Sequence, residues 1–307
     1  MTTWQEIQKE MQTTHPDIVR RGKYQKLVEI TKRPLIVYAS AFTQPTKNQY
    51  QNLMALDLSD KDGFEEVTRR IDSPSIDILL HSPGGSAEAT ESIVRTLRSR
   101  FSNIRFIITG VAKSAATMLA LSGDSIILTR AAELGPIDPQ IRVRNRFSAA
   151  GSIIEQFETA TKQIKSNPES LPAWIPILQE YAPCLLVDCK NYTELAESLV
   201  RTWMKDYMFK GESTKATKAK IKNIAHFLTN EKQNLSHARR IGYDELYEIG
   251  VKVSLAEEVG TDFADALNDV HLSLVQTLHF SDAVKIFENS NNEALIYNIQ
   301  TASLPLE

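Results

Sequence analysis

Between residues 76 and 129 the chain repeats one local pattern: a short apolar run, a tight turn, then a helix. Ile76–His81 leads into Ser82-Pro83-Gly84-Gly85-Ser86, and a helix follows over 87–101 with Ile93, Val94, Leu97 and Phe101 in register. Ile104–Thr109 leads into Gly110-Val111-Ala112-Lys113-Ser114-Ala115-Ala116 and a fully apolar helix over 115–121, after which Ser125–Thr129 reads as a third strand. Such Ile-rich runs are too short for helices and apolar on both faces. They predict parallel strands in a sheet with helices on both sides, joined by right-handed crossovers. Adjacent parallel strands end at the same sheet edge, so the two turns are expected side by side. That places glycine backbone N–H groups beside an exposed serine, the arrangement needed to hold an oxyanion while a hydroxyl attacks a carbonyl.

The flanking regions are less regular. Residues 1–32 are polar, with apolar positions (Trp4, Ile7, Met11, Ile18, Val19) spaced as in a helical arm. Pro34–Ala39 predicts the first strand, Gln44–Asn48 a turn-rich loop, and 62–72 an amphipathic helix bearing Phe64, Val67 and Ile71. Gly135-Pro136-Ile137-Asp138-Pro139 predicts an ordered loop. Helical patterns then cover 149–166 and 192–228, with breaks at Asn167-Pro168, Leu171-Pro172 and Gly211. Ile241–Val253 reads as a helix entering a short strand at 251–253. A helix over 262–278 follows, then a β-hairpin of 283–287 and 294–298 around an Asn-rich turn. The expected division is an arm (1–32), an α/β catalytic domain (33–260) and a helix-plus-hairpin extension (261–307).

The 307 residues carry a net charge of −3, which argues against non-specific nucleic-acid binding. The basic stretch Lys215–Lys222 reads as one solvated helix face. No basic-then-apolar leader opens the sequence and no window approaches a membrane span, so the expected location is cytoplasmic. Cys184 and Cys189 are expected as reduced thiols. They lack the partners a zinc site needs, and no metal or cofactor is predicted.

The chemistry lies in the two turns. Pro83 presets one, while Gly84 and Gly85 permit positive φ and close backbone approach. Ser86 is placed to cap the following helix. Ser114, at the start of a helix of small residues, is either a cap of that helix or a nucleophile exposed by the turn.

Ser-Pro-Gly-Gly-Ser at 82–86, Gly-x-x-x-Ser-Ala-Ala-Thr-Met-Leu-Ala at 110–120, Gly-Asp-x-Ile at 123–126 and Leu-Gly-Pro-Ile-Asp-Pro-Gln at 134–140 together resemble the Clp protease/crotonase superfamily. Within it the chain is most similar to the serine dehydrogenase proteinase branch, a relative of signal peptide peptidase A. The likeness runs from about Leu35 to Val253. It implies a fold of repeated β-β-α units, Ser114 as nucleophile, and an oxyanion hole from backbone N–H groups of Gly84, Gly85 and Ala115. It further implies peptide or protein substrates, homo-oligomers, and compatibility with substrates drawn from membrane proteins.

The general base does not carry over directly. Where Clp-type relatives place a histidine, this chain has Asp138, and it has no histidine between His81 and His226. In the signal peptide peptidase branch a lysine of a later helix serves, which points to Lys165, with Lys162 beside it. Such a lysine must be neutral, and so desolvated. His237, oriented by Asp138, is the competing base in a swapped version of the Ser–His–Asp arrangement. Lys113 adjoins Ser114 but is expected to point away, and His81 stands at a strand end where it would line the pocket. Two further readings keep the fold: a crotonase-type acyl-CoA enzyme using the oxyanion hole without a serine, or a catalytically degenerate assembly or adaptor subunit. With no Gly-x-x-x-x-Gly-Lys-Ser/Thr loop, any ATP dependence would come from another protein.

Overall fold

The computed structural model describes residues 1–299. Its strands are β1 (Leu35–Ser40), β2 (Ser75–His81), β3 (Asn103–Ile108), β4 (Val111–Ala112), β5 (Ser125–Leu128), β6 (Glu133–Leu134), β7 (Gln140–Val143), β8 (Arg146–Ala149), β9 (Val253–Leu255), β10 (Ala283–Asn289) and β11 (Ala294–Asn298). Seven of them form one sheet in the order β11-β10-β1-β2-β3-β5-β9. The run from β1 to β9 is parallel, and β10 and β11 join antiparallel at the β1 side. The expected α/β class with a mostly parallel sheet is what the chain adopts.

Alternation along the strands divides the core between the two faces. Ile36, Tyr38, Ile78, Leu80, Phe106, Ile108 and Ile126 point into one cluster with Phe64, Ile93, Leu97, Leu119 and Val200, supplied by helices Asp60–Thr68, Ala87–Arg100, Ala115–Leu121 and Leu185–Trp203. Leu35, Val37, Leu79, Ile107 and Ile127 point the other way, onto Tyr24 and Leu27 of helix Pro16–Thr31 and Phe263, Val270 and Leu274 of helix Thr261–Phe280. The central strands are thus buried on both sides, which is why their sequences are apolar runs rather than alternating ones.

Several boundaries differ from the sequence expectation. The 62–72 helix runs Asp60–Thr68, and the 192–228 pattern divides into Leu185–Trp203 and Lys215–Thr229, with a π-helical turn at Met204–Met208 between them. The closing strand is Val253–Leu255, displaced from the expected 251–253. Residues 140–149, almost all without an expected element, form the β7–β8 hairpin, with Arg142 opposite Phe147. Arg144, in the two-residue turn, has φ +53 without being glycine or asparagine, so the usual hairpin signal was missing. The C-terminal hairpin forms, and β10 lies inside the main sheet between β1 and β11. It carries Lys285 into the interior, where Nζ donates to Asp60 Oδ1 at 2.6 Å while the Tyr38 hydroxyl donates to Asp60 Oδ2 at 2.9 Å. Burial pushes the Asp60 carboxyl above its ordinary pKa, an effect Lys285 opposes.

Candidate active site

The two turns are hydrogen-bonded to each other. Ser82 N–H donates to the Val111 carbonyl at 3.0 Å, and Lys113 N–H donates to the Ser82 carbonyl at 3.1 Å. The diglycine turn is held on its other side by residue 56: Leu56 N–H donates to Gly84 O at 2.7 Å, and Ser86 N–H to Leu56 O at 2.9 Å. Both glycines are required by space. A Cβ on Gly85 would lie 2.0 Å from the Leu56 carbonyl oxygen. Gly84, at φ +89, packs against the serine turn so closely that a Cβ there would meet Lys113 O at 2.4 Å, Ser114 Cβ at 2.8 Å and Ala115 N at 2.9 Å. Ser86 caps its helix as expected, accepting from Ala89 N–H at 3.0 Å.

Ser114 does not cap. Its side chain makes no capping bond, and its backbone stands at φ +51, ψ −123. Ala116 N–H donates to Lys113 O at 2.9 Å, so residues 113–116 close a four-residue turn. Those angles at its second position match a type II′ turn, where glycine is usual because a Cβ is crowded there. A serine in that position is strained and half-buried, and it lines the cleft while its side chain leaves the following helix uncapped. Thr117 carries out the local bonding instead, donating to Ala112 O at 2.8 Å and accepting from Gly135 N–H at 3.0 Å.

Of the three expected oxyanion donors, Gly84 N–H is directed to Ser82 Oγ at 3.2 Å. Gly85 and Ala115 N–H donate to no backbone carbonyl or side chain among the described residues.

Ser114, Gly84, Gly85 and Ala115 line a cleft of about 910 Å³, together with His237. Its floor is apolar: Met118, Ile137, Leu195 and Ala196. The β7–β8 hairpin supplies Ile141, Arg142 and Phe147 to the wall, and helix Leu185–Trp203 supplies Tyr192. His237 Nδ1 lies 2.9 Å from Asp138 Oδ1, a carboxylate only 3% exposed, whose Oδ2 accepts from Gln140 Nε2 at 2.7 Å. An Nδ1–H donor to that carboxylate leaves Nε2 as the free acceptor.

The other candidates sit elsewhere. Lys165 and Lys162 are exposed on the last turns of helix Ala150–Ser166, and neither lines the cleft. Lys113 points away from Ser114, with Nζ donating to the Leu134 and Arg239 carbonyls at 3.0 Å each. His81 is buried behind Phe42, their rings 4.9 Å apart, and Phe42, not His81, faces the cleft. Burial, aided by His271, lowers the His81 pKa to about 3. Among the described residues that line the cleft, Arg142 is the one lysine or arginine, a poor match to the phosphates of an acyl-CoA. Sequence reasoning did not anticipate the contribution of Phe42, Phe147, Tyr192 and Leu195, which reach the cleft from distant elements.

Residues 54–171 match the family described as ClpP-like SDH-type serine proteinase, a span that includes Gly84, Ser114 and Asp138 and ends before His237. Two curated proteins of Methanocaldococcus jannaschii are similar. Uncharacterized protein MJ1495 is 33% identical over 156 residues, covering 47% of this chain and 52% of that protein. Uncharacterized protein MJ0137 is 39% identical over 82 residues, covering 25% and 28%. The chain therefore spans about half the length of the first and little more than a quarter of the second. Among solved structures, a variant of the 1510-N membrane-bound stomatin-specific protease has a TM-score of 0.41 at 15% identity, covering 70% of this chain and 79% of that one. A second variant of that protease, in complex with a substrate peptide, gives 0.40 at 16%, covering 66% and 71%. Among the described residues no helix is long and apolar enough to cross a membrane. Over residues 54–171, about two fifths of its length, the chain is similar to the ClpP-like SDH-type serine proteinase family.

Proposed function

We propose that the protein is a serine peptidase-like hydrolase in which Ser114 is the nucleophile, His237 the general base and Asp138 the residue that orients it. The observation that carries this reading is the strained, uncapping Ser114 in one cleft with the His237–Asp138 pair. A peptide carbonyl seated against Gly85 and Ala115 is attacked by Ser114 Oγ as His237 Nε2 takes the hydroxyl proton. The two N–H groups receive the oxyanion, each contributing about 3 kcal/mol to the transition state. Asp138 stabilises the imidazolium, which then protonates the departing amine. Water hydrolyses the acyl-enzyme with the same histidine as base. The floor of Met118, Ile137, Leu195 and Ala196 favours an apolar side chain beside the scissile bond.

Labelling by a fluorophosphonate tests this. Wild type should react at one site and Ser114→Ala not at all. His237→Gln and Asp138→Asn should slow labelling by roughly 10²–10⁴-fold, and Lys165→Met should leave it unchanged. Loss of labelling in Lys165→Met with retention in His237→Gln would move the base to the lysine. An unreactive wild type would refute the nucleophile.

A further inference from the structure

We propose that Lys113 is a positioning residue whose ammonium holds the serine, aspartate and histidine segments of the site in one arrangement. The inference rests on the reading of Ser114, His237 and Asp138 given above.

The ammonium has three N–H donors and three partners. These are the Leu134 carbonyl at 3.0 Å, the Arg239 carbonyl at 3.0 Å and Glu133 Oε1 at 2.8 Å. Leu134 is four residues before Asp138, and Arg239 two residues after His237. Lys113 itself is bonded to Ser114 through the chain, and its carbonyl receives the Ala116 N–H that closes the serine turn. One side chain, 13% exposed, therefore touches the backbone of all three segments. Its stem lies flat on Gly135, where a Cβ would come 2.5 Å from Lys113 Cδ. The glycine thus admits the lysine, and both residues are explained by one contact.

The lysine is not what holds these segments in the fold. Leu134 and Ile241 exchange two backbone hydrogen bonds, at 3.0 and 3.1 Å, whether or not the ammonium is present. Arg239 is also tied to Asn234 at 2.8 Å and to Glu245. What the ammonium adds is a fixed separation between the residue 236–240 loop and the serine turn. Displacing a catalytic group by about 1 Å costs on the order of 10²-fold in rate, so the effect belongs in reactivity more than in stability.

The test is a double-mutant cycle on fluorophosphonate labelling of the full chain, with Tm measured in parallel. Lys113→Met retains the stem and removes the donors, and labelling should slow by roughly 10–10²-fold. Because the lysine acts through the histidine, Lys113→Met added to His237→Gln should slow the reaction little beyond His237→Gln alone. Near-complete non-additivity supports the clamp. Multiplicative effects of the two substitutions would overturn it, because a purely structural lysine leaves the histidine's contribution intact. Gly135→Ala is the second variant should Lys113→Met fold poorly. It displaces the lysine stem without removing charge and should show the same loss and the same non-additivity. A wild type that labels through Ser114 but gives multiplicative cycles in either background sinks the clamp alone. A wild type that does not label sinks the hydrolase reading, and the clamp with it.

Discussion

Replacing Ser114 by glycine and by alanine separates the backbone role of this position from its chemistry. At φ +51, ψ −123 any Cβ is crowded, and an L-residue held in such a region carries about 1–3 kcal/mol of strain. Serine and alanine both bear that cost in the folded state, whereas glycine does not. Against this, glycine gives the unfolded chain more freedom, worth about 0.4–1 kcal/mol in favour of alanine. The net expectation is that Ser114→Gly is more stable than Ser114→Ala by about 1 kcal/mol, or roughly 2 °C in Tm for a chain of this size. Both variants lose the hydroxyl and should be equally inert to a fluorophosphonate. Paired urea titrations at one pH measure the difference, and the slopes should agree because the surface exposed on unfolding is unchanged. If alanine equals or exceeds glycine in stability, the turn is not strained at Ser114, and the case for a serine held at the cleft by strained backbone geometry is lost.

Two further outcomes follow from buried groups away from the cleft. His81 binds a proton below about pH 6.5 in the unfolded chain but only below about 3 when folded, so stability should fall as pH drops through that window. The loss attributable to this group at pH 4 is about 3 kcal/mol; His81→Gln should flatten the acid limb of a stability–pH profile, and an unchanged limb would contradict the burial argument. Lys285→Met leaves the Asp60 carboxylate uncompensated in the core and should cost roughly 3–5 kcal/mol. Adding Asp60→Leu should recover part of that loss in the same denaturation assay, and a double variant no better than the single would argue against an ionic cause.

The parts of the fold visible in the sequence were those set by local periodicity. Ile76–His81, Ile104–Thr109 and Ser125–Thr129 announced strands because both their faces are buried, and the Ser86 cap followed from its place before a helix. The adjacency of the two turns was also legible, since parallel strand order alone dictates it. Other features depend on contacts that spacing does not encode. The β7–β8 hairpin turns through Arg144 in a left-handed conformation with no glycine to mark it. The long helical pattern after Tyr192 breaks before Gly211, at a π-helical turn whose residues are ordinary helix formers. Asp138 and His237 are 99 positions apart, so their pairing was one option among several until the chain's path brought them within 2.9 Å. The positive φ of Ser114 had no sequence mark either, because the residue that relieves such geometry, glycine, is the one the chemistry cannot use.

The placement of β10 also bears on how the molecule assembles. Its partner β1 begins at Leu35, and the register joins Ile36 to Asn289, across most of the polypeptide. During synthesis every described residue of the cleft emerges from the ribosome before β10 does, while one flank of β1 still presents unpaired N–H and C=O groups. Such an edge invites pairing with other nascent chains. Closing so long a loop is also slow compared with forming neighbouring βαβ units. Covering that flank of β1 therefore waits until residue 289 has been made, and shortening the chain ahead of residue 283 would leave a permanently sticky border.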